Sequence, residues 1–366
     1  METETRGHGR LSGLLQAYRN ASLIRRSAPV HRFNRALTAS VAVLILHSPT
    51  IGTPSRTTST NPPLRETTAE SPAVLWRDPV DISSRNLYYG PGGKAHEPQG
   101  TFTFEKEDMQ GSSPKFDVID QDGIRWRVKL GDEARPETVA SRLVWAAGYF
   151  ANEDYFMPVL HVQNMQHLKR GAKMVSPDGS AHNVRLKRHV KDKKLGTWLW
   201  AKNPFTGTRE WYGLRVLMAI INNWDLKDSN NSIYQDRGDR PERYYVVSDL
   251  GASFGSPGLD WTAKGNLKAY SHSKMIGKIS PEFIDLNVPS SPKLYTFFNL
   301  PETTRLGLCW IGHHIPRADA TWIGHLLAQL RPDQIRDAFR AAGYSPEEIE
   351  AYSRVVEHRI DELAKL

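Results

Sequence analysis

Cysteine is almost absent: Cys309 is the single one among 366 residues. That excludes an internal disulfide framework, a thiolate zinc site and a CxxC redox pair. Its setting, Leu306-Gly307-Leu308-Cys309-Trp310, reads as that of a small buried apolar residue. Long apolar runs are lacking too. The run 36–46, ALTASVAVLIL, is too short to cross a hydrocarbon core of about 30 Å. With Arg25, Arg26, Arg32 and Arg35 ahead of it, it matches the apolar region of an export signal behind a basic flank. Its distance from Met1 is unusual for such a signal. The reading favours an exported or membrane-anchored protein, with membrane association through 36–46, over a cytoplasmic one.

Positive charge is also scarce where it would matter for nucleic acid. The chain carries a formal charge of +8, yet nine arginines against four acids in residues 1–72 supply five of those charges. The remaining surplus of about three is no electrostatic footprint for a duplex, and no nucleic-acid partner is expected. Internal repeats are absent.

What is present falls into segments. Residues 1–47 read as a leader, and 48–73, rich in Pro, Ser and Thr, as a linker that cannot bury a core. From 74 the chain reads as globular. Alternation predicts strands at 101–106, 116–119 and 124–130, the last two joined by an Asp120-Gln121-Asp122-Gly123 hairpin turn. Pro136-Glu137 opens a helix that Gly148 ends. A largely buried helix is expected at 209–222, then a strand pair at 233–234 and 244–247. Beyond 265 the chain reads as helical, closing with helices at 331–342 and from Ser345 onward. A small β-rich part, 74–195, therefore precedes a larger helical part, 196–366, giving an α+β class.

The chemistry concentrates in Asn223-Trp224-Asp225-Leu226-Lys227-Asp228-Ser229-Asn230, directly after the buried helix, and in Asp249-Leu250-Gly251, directly after an apolar strand. Phosphoryl transfer needs a cation on the phosphates, carboxylate and amide oxygens for Mg²⁺, and a carboxylate to orient the accepting hydroxyl. An Asp at the end of a buried strand, followed by Gly, can present a carboxylate to a metal.

This combination resembles the protein-kinase superfamily. NWDLKDSN is similar to the HRDLKxxN catalytic loop and DLG to DFG. Lys129 resembles the lysine of the third kinase strand, and Glu137 its helical ion-pair partner. Gly111-Ser112-Ser113-Pro114-Lys115 is not a GxGxxG loop but is similar to the Gly-x-x-Pro-Lys loop of HipA-type kinases. The pattern covers about 100–255 and points to the atypical branch, HipA-like, phosphatidylinositol-kinase-like or secretory-pathway-kinase-like. It departs from typical kinases in lacking APE and in having Asn223 for the usual His.

The resemblance implies a two-lobed kinase-like fold, β-rich then helical, with ATP and Mg²⁺ as cofactors and an unidentified hydroxyl acceptor on a protein, lipid or small molecule. Asp225 would be the catalytic base and Lys227 its cationic neighbour. Gly111, Ser112, Ser113, Lys115, Lys129 and Glu137 would bind the nucleotide; Asn230 and Asp249 would hold the metal. Several alternatives stand beside these roles. Glu133 competes with Glu137, Asn231 with Asn230, and Lys227 has Asp228 and Asp249 as ordinary ion-pair partners. Adenylyl transfer on the same fold, or a non-catalytic nucleotide-binding envelope scaffold, are the other functional readings. The basic run 185–194 with Trp198 and Trp200 beyond it reads as a solvated face beside a packed Trp cluster, and His313-His314 as a structural pair.

Overall fold

The computed structural model describes residues 71–255, 265–288 and 307–366. All of them belong to one unit, Thr67–Leu366. The leader with its apolar run 36–46, and the linker up to residue 70, lie outside the described residues. Among the described residues no helix is long and apolar enough to cross a membrane.

The chain is α+β. Alternation in TFTFEKED, KFDVID and RWRVK produces strands β2 (Phe102–Asp108), β3 (Lys115–Asp120) and β4 (Arg125–Lys129), after a two-residue β1 (Ala73–Val74). The β3–β4 turn is the expected one: Gly123, at φ +75°, donates its N–H to Asp120 O, and Asp120 Oδ1 accepts from the Asp122 and Ile124 amides. Helix α1 (Ala134–Ala146) follows, then two long strands that sequence reading missed, β5 (Asp154–Gln163) and β6 (Ser180–Arg188). Strands β2-β3-β4-β6-β5 close into a barrel. One face of each strand fills it with Phe102, Phe116, Val118, Trp126, Val128, Leu160, Val184 and Leu186. Fully burying a side chain of this size contributes about 1.5–3 kcal/mol. The alternate residues, Asp117, Arg127, Lys129, Arg185 and Lys187, therefore point to the outer face of the same strands.

A second sheet, in the order β1-β9-β8-β7, contains β7 (Lys193–Gly196), β8 (Asn231–Gln235) and β9 (Arg243–Val247). Before β8 runs α2 (Arg209–Ile220), capped by Thr208, whose hydroxyl accepts from Trp211 N. It is buried nearly all round, from Trp211 through Leu214, Val216 and Leu217 to Ile220. Asn222, at φ +53°, ends it and turns the chain toward Asp225.

The expectation of an all-helical remainder is only partly met. After α3 (Leu267–His272) comes a small antiparallel sheet of β10 (Ile276–Ile279), β11 (Phe283–Leu286) and β12 (Ile315–Pro316). Strands of two to four residues are too short to print a period-2 signal. Three helices close the chain: α4 (Arg317–Leu327), α5 (Pro332–Arg340) and α6 (Pro346–Ala364). Ser345 and Glu348 form a capping box at the start of α6. Arg359 of α6 is buried and donates to Ala219 O and Ile220 O, satisfying terminal carbonyls of α2 just ahead of the Asp225 loop. Cys309 corrects the sequence expectation: it is exposed, because the turn Gly307–Gly312 buries only Ile311 and Gly312.

Candidate active site

Strand alternation sets Lys129 on the outer face of β4, with Lys115 and Arg185 as its Cα partners on β3 and β6. Helix α1 begins five residues later, so Glu133 at its N-cap and Glu137 one turn on face the same way. Lys129 Nζ lies 2.7 Å from Glu133, 2.8 Å from Glu137 and 3.2 Å from Asp249. The choice between Glu133 and Glu137 dissolves: both carboxylates engage the lysine. Burial opposes the charge on Lys129, but Asp249, Glu137 and Glu133 outweigh it and hold the ammonium protonated above the ordinary lysine range. Burial likewise works against Asp249. Lys129 and the Gly251 N–H override it and keep this carboxylate below its usual range.

Arg185 completes the cluster, and sequence reading missed it. It is 3% exposed, with Nη2 2.9 Å from Glu137 and Nη1 3.4 Å from Asp154. The run 185–194 is thus not simply a solvated face. In Arg185-Leu186-Lys187, Leu186 enters the barrel and its neighbours turn outward toward a cavity. Trp198 and Trp200, in contrast, pack as expected, buried with ring centroids 4.8 Å apart.

The second half of the site is built by two segments running together. Trp224 N–H donates to Ala252 O, Phe254 N–H to Ile221 O and Ser248 N–H to Asn230 O. These bonds bring 221–230 beside 248–254. Asn223, fully buried, accepts the Asp225 N–H at 3.0 Å, so it shapes the loop from inside. Lys227 Nζ lies 3.3 Å from Asp225 Oδ1, rather than pairing with Asp228 or Asp249 as the sequence alternatives had it. Asp228 Oδ1 instead accepts the Trp200 N–H. Asn230 Nδ2 donates to Asp225 O at 2.7 Å, leaving its Oδ1 as the atom it offers a cation. Asn231 is 1% exposed and donates to Trp198 O, and only Asn230 of the two lines the cavity.

The loop between β2 and β3 forms the remaining wall. Gly111 takes φ +68°, and a Cβ on it would sit 3.4 Å from Lys115 Nζ, so loop backbone and lysine approach closely. Arg170, another residue missed in sequence, donates to Asp108 O and Gly111 O and ties the loop down. Ser113 Oγ donates to Glu133, linking loop to helix. Every sequence-predicted site residue lines one cavity of about 330 Å³: Gly111, Ser112, Ser113, Lys115, Lys129, Glu137, Asp225, Lys227, Asn230 and Asp249. Glu133 and Arg185 line it as well. The exposed pair His313-His314 lies outside this lining.

A hard divalent cation fits this donor set. Asp249 Oδ1 is taken by Lys129, its side chain is 41% exposed, and its second carboxylate oxygen remains; Asn230, whose amide oxygen is also an oxygen donor, lines the same cavity. Glu133, Glu137 and Asp249 also lie within ligand range of one another, 4.8 Å. The Lys129 ammonium among them already supplies the opposing charge.

Gly251 is required here by space alone. A Cβ on it would lie 2.8 Å from Glu133 Cβ and 3.0 Å from Glu133 Cγ. Gly251→Ala should therefore push Glu133 off Lys129 and destabilise the fold by about 1–3 kcal/mol. Thermal unfolding of the variant checks this, and an unchanged midpoint would contradict it.

No family model and no curated protein sequence matches the chain. Among solved structures, the Helicobacter pylori proinflammatory kinase CtkA aligns over 73% of this chain and 94% of its own, at 10% identity and a TM-score of 0.40. The golgi casein kinase aligns over 73% of each chain, at 10% identity and a TM-score of 0.34. Likeness at this level leaves the functional reading to rest on the cavity itself.

Proposed function

We propose that the chain is a two-lobed, kinase-like phosphotransferase that uses ATP and Mg²⁺ to phosphorylate a hydroxyl acceptor. One observation carries the reading: a buried Lys129, held by Glu133 and Glu137, shares a single cavity with Asp249, Asn230 and the Asp225–Lys227 pair.

In this reading Lys129 contacts the α- and β-phosphates, its position fixed by two carboxylates and its charge by all three. The loop of Gly111, Ser112 and Ser113 presents amides and hydroxyls to the phosphate chain. Asp249 and Asn230 hold Mg²⁺, which when bound neutralises the phosphate oxygens. Asp225 accepts the proton of the acceptor hydroxyl as its oxygen bonds the γ-phosphorus. The bridging P–O bond to the β-phosphate breaks and ADP leaves. Lys227, beside Asp225, offsets the charge on the transferred group. The protein would meet its nucleotide as an exported or membrane-anchored enzyme if 36–46 acts as a signal or anchor.

Incubation of the full chain with γ-labelled ATP and a cell lysate tests this, with Asp225→Ala as control. Labelled acceptor should form with the wild type, and the variant should lose at least about 100-fold of the rate. Equal labelling by both proteins would overturn the role of Asp225.

A further inference from the structure

The cavity walls carry more than the transfer reaction needs. Among the described residues seven cations line it (Lys115, Arg127, Lys129, Arg185, Lys187, Lys194 and Lys227) against four acids (Glu133, Glu137, Asp225 and Asp249), a surplus of three. Four of the cations are held by carboxylates: Lys129, Arg185 and Lys227 as above, and Arg127 by Asp117 and Asp108 at 2.8 and 2.7 Å. Lys115 and Lys187, both half-buried, have no carboxylate within ion-pair distance among the described residues. A half-buried ammonium without an acid is unfavourable unless a ligand completes it. Burial, with Arg185 adjacent, lowers Lys187 to about 8, and burial lowers Lys115 too.

What the walls lack is equally informative. The roof over the cavity is the outer face of β3, β4 and β6, where the Cα-paired row Asp117, Arg127, Lys187 is charged from end to end. Among the described residues lining the cavity none has an aliphatic side chain, and Tyr234 has the sole ring. Pockets that recognise an aromatic ring are ordinarily lined by apolar and aromatic groups.

We propose that this site selects its donor by the phosphate chain and not by the base, so that it takes nucleoside triphosphates with little regard to base and binds inorganic tripolyphosphate as well. Lys115 and Lys187 are the residues that read the chain's charge. The proposal rests on the phosphotransferase reading for the transfer itself, but its binding consequence is separate.

Isothermal titration of the full-length protein with the Mg²⁺ complexes of ATP, GTP, CTP, UTP and tripolyphosphate tests it. Stacking in a base-reading pocket is worth about 1–3 kcal/mol, roughly 5- to 150-fold in affinity. The four nucleotides should instead bind within about threefold of one another, and tripolyphosphate within about tenfold of ATP. Lys187→Met and Lys115→Met should each weaken all five by a similar factor, about tenfold, as loss of a charged contact does. γ-Label should pass to acceptor from GTP as from ATP. ATP binding more than about tenfold tighter than GTP and CTP, with transfer intact, would sink base indifference and leave the phosphotransferase standing. A loss confined to ATP in Lys187→Met would sink it too. Failure of every polyphosphate to bind would remove both readings. The ligand panel needs no variant, so it decides the matter even where a substitution unfolds the chain.

Discussion

Lys129→Met should destabilise the fold by about 3–5 kcal/mol and silence transfer, the typical result of removing one partner from a buried ionic cluster. The wild-type ammonium sits within 3.2 Å of three carboxylates, two of them on side chains about one-tenth exposed or less. Methionine fills the same space but leaves Glu133, Glu137 and Asp249 facing one another, with Arg185 still paired to Glu137. Burial already raises the Glu137 carboxyl, and Arg185 then Lys129 oppose that rise. Without Lys129 the Glu137 carboxyl should rise further above its unfolded value. Groups shifted that way contribute stability at low pH and lose it as pH rises through the folded value. The deficit of the variant should therefore be smaller at pH 5 than at pH 8. Denaturant unfolding of both proteins at the two pH values measures it. A deficit below about 1 kcal/mol, equal at both, would mean that the cluster is not held by this lysine.

Asp249→Ala should separate metal binding from nucleotide binding. On the proposed reading the carboxylate would hold Mg²⁺, and it neutralises Lys129. Removing it would then delete a cation ligand, and also removes a negative charge from a cavity already rich in cations. Without Mg²⁺, ATP should bind the variant at least as tightly as it binds the wild type. Addition of Mg²⁺ should then strengthen wild-type binding by about tenfold or more, about 1.4 kcal/mol, and leave the variant unimproved. Calorimetric titrations in Mg²⁺ and in chelator give both numbers. An equal Mg²⁺ gain in wild type and variant would move the metal away from Asp249.

The parts of the site that sequence disclosed are those encoded locally. Lys129 in an alternating strand and Glu137 in the helix after it are neighbours in the chain. Asp225, Lys227 and Asn230 share one loop, so spacing alone places them together. Asp249 follows an apolar strand that could only be buried. What stayed hidden depends on distant segments. Arg185 looked like one cation among many, and only the pairing of β6 with β4 turns it onto Glu137. Arg170 and Arg359 act through backbone carbonyls of remote elements, which leave no mark on spacing. The closed barrel needed β5, whose interior Pro158 and mixed burial blur its alternation. The small sheet of β10 to β12 is built from strands too short to be read.

On the proposed reading this cavity moves the terminal phosphoryl group of a nucleotide. Parallel incubations of the full-length protein with α-labelled and γ-labelled ATP, Mg²⁺ and a lysate test it most directly. The acceptor should gain the γ-label alone, with a mass increase of one phosphate, and Asp225→Ala should abolish it. Transfer of the α-label would make the enzyme a nucleotidyl transferase, and transfer of neither, with Mg–ATP bound, would make it a binding protein.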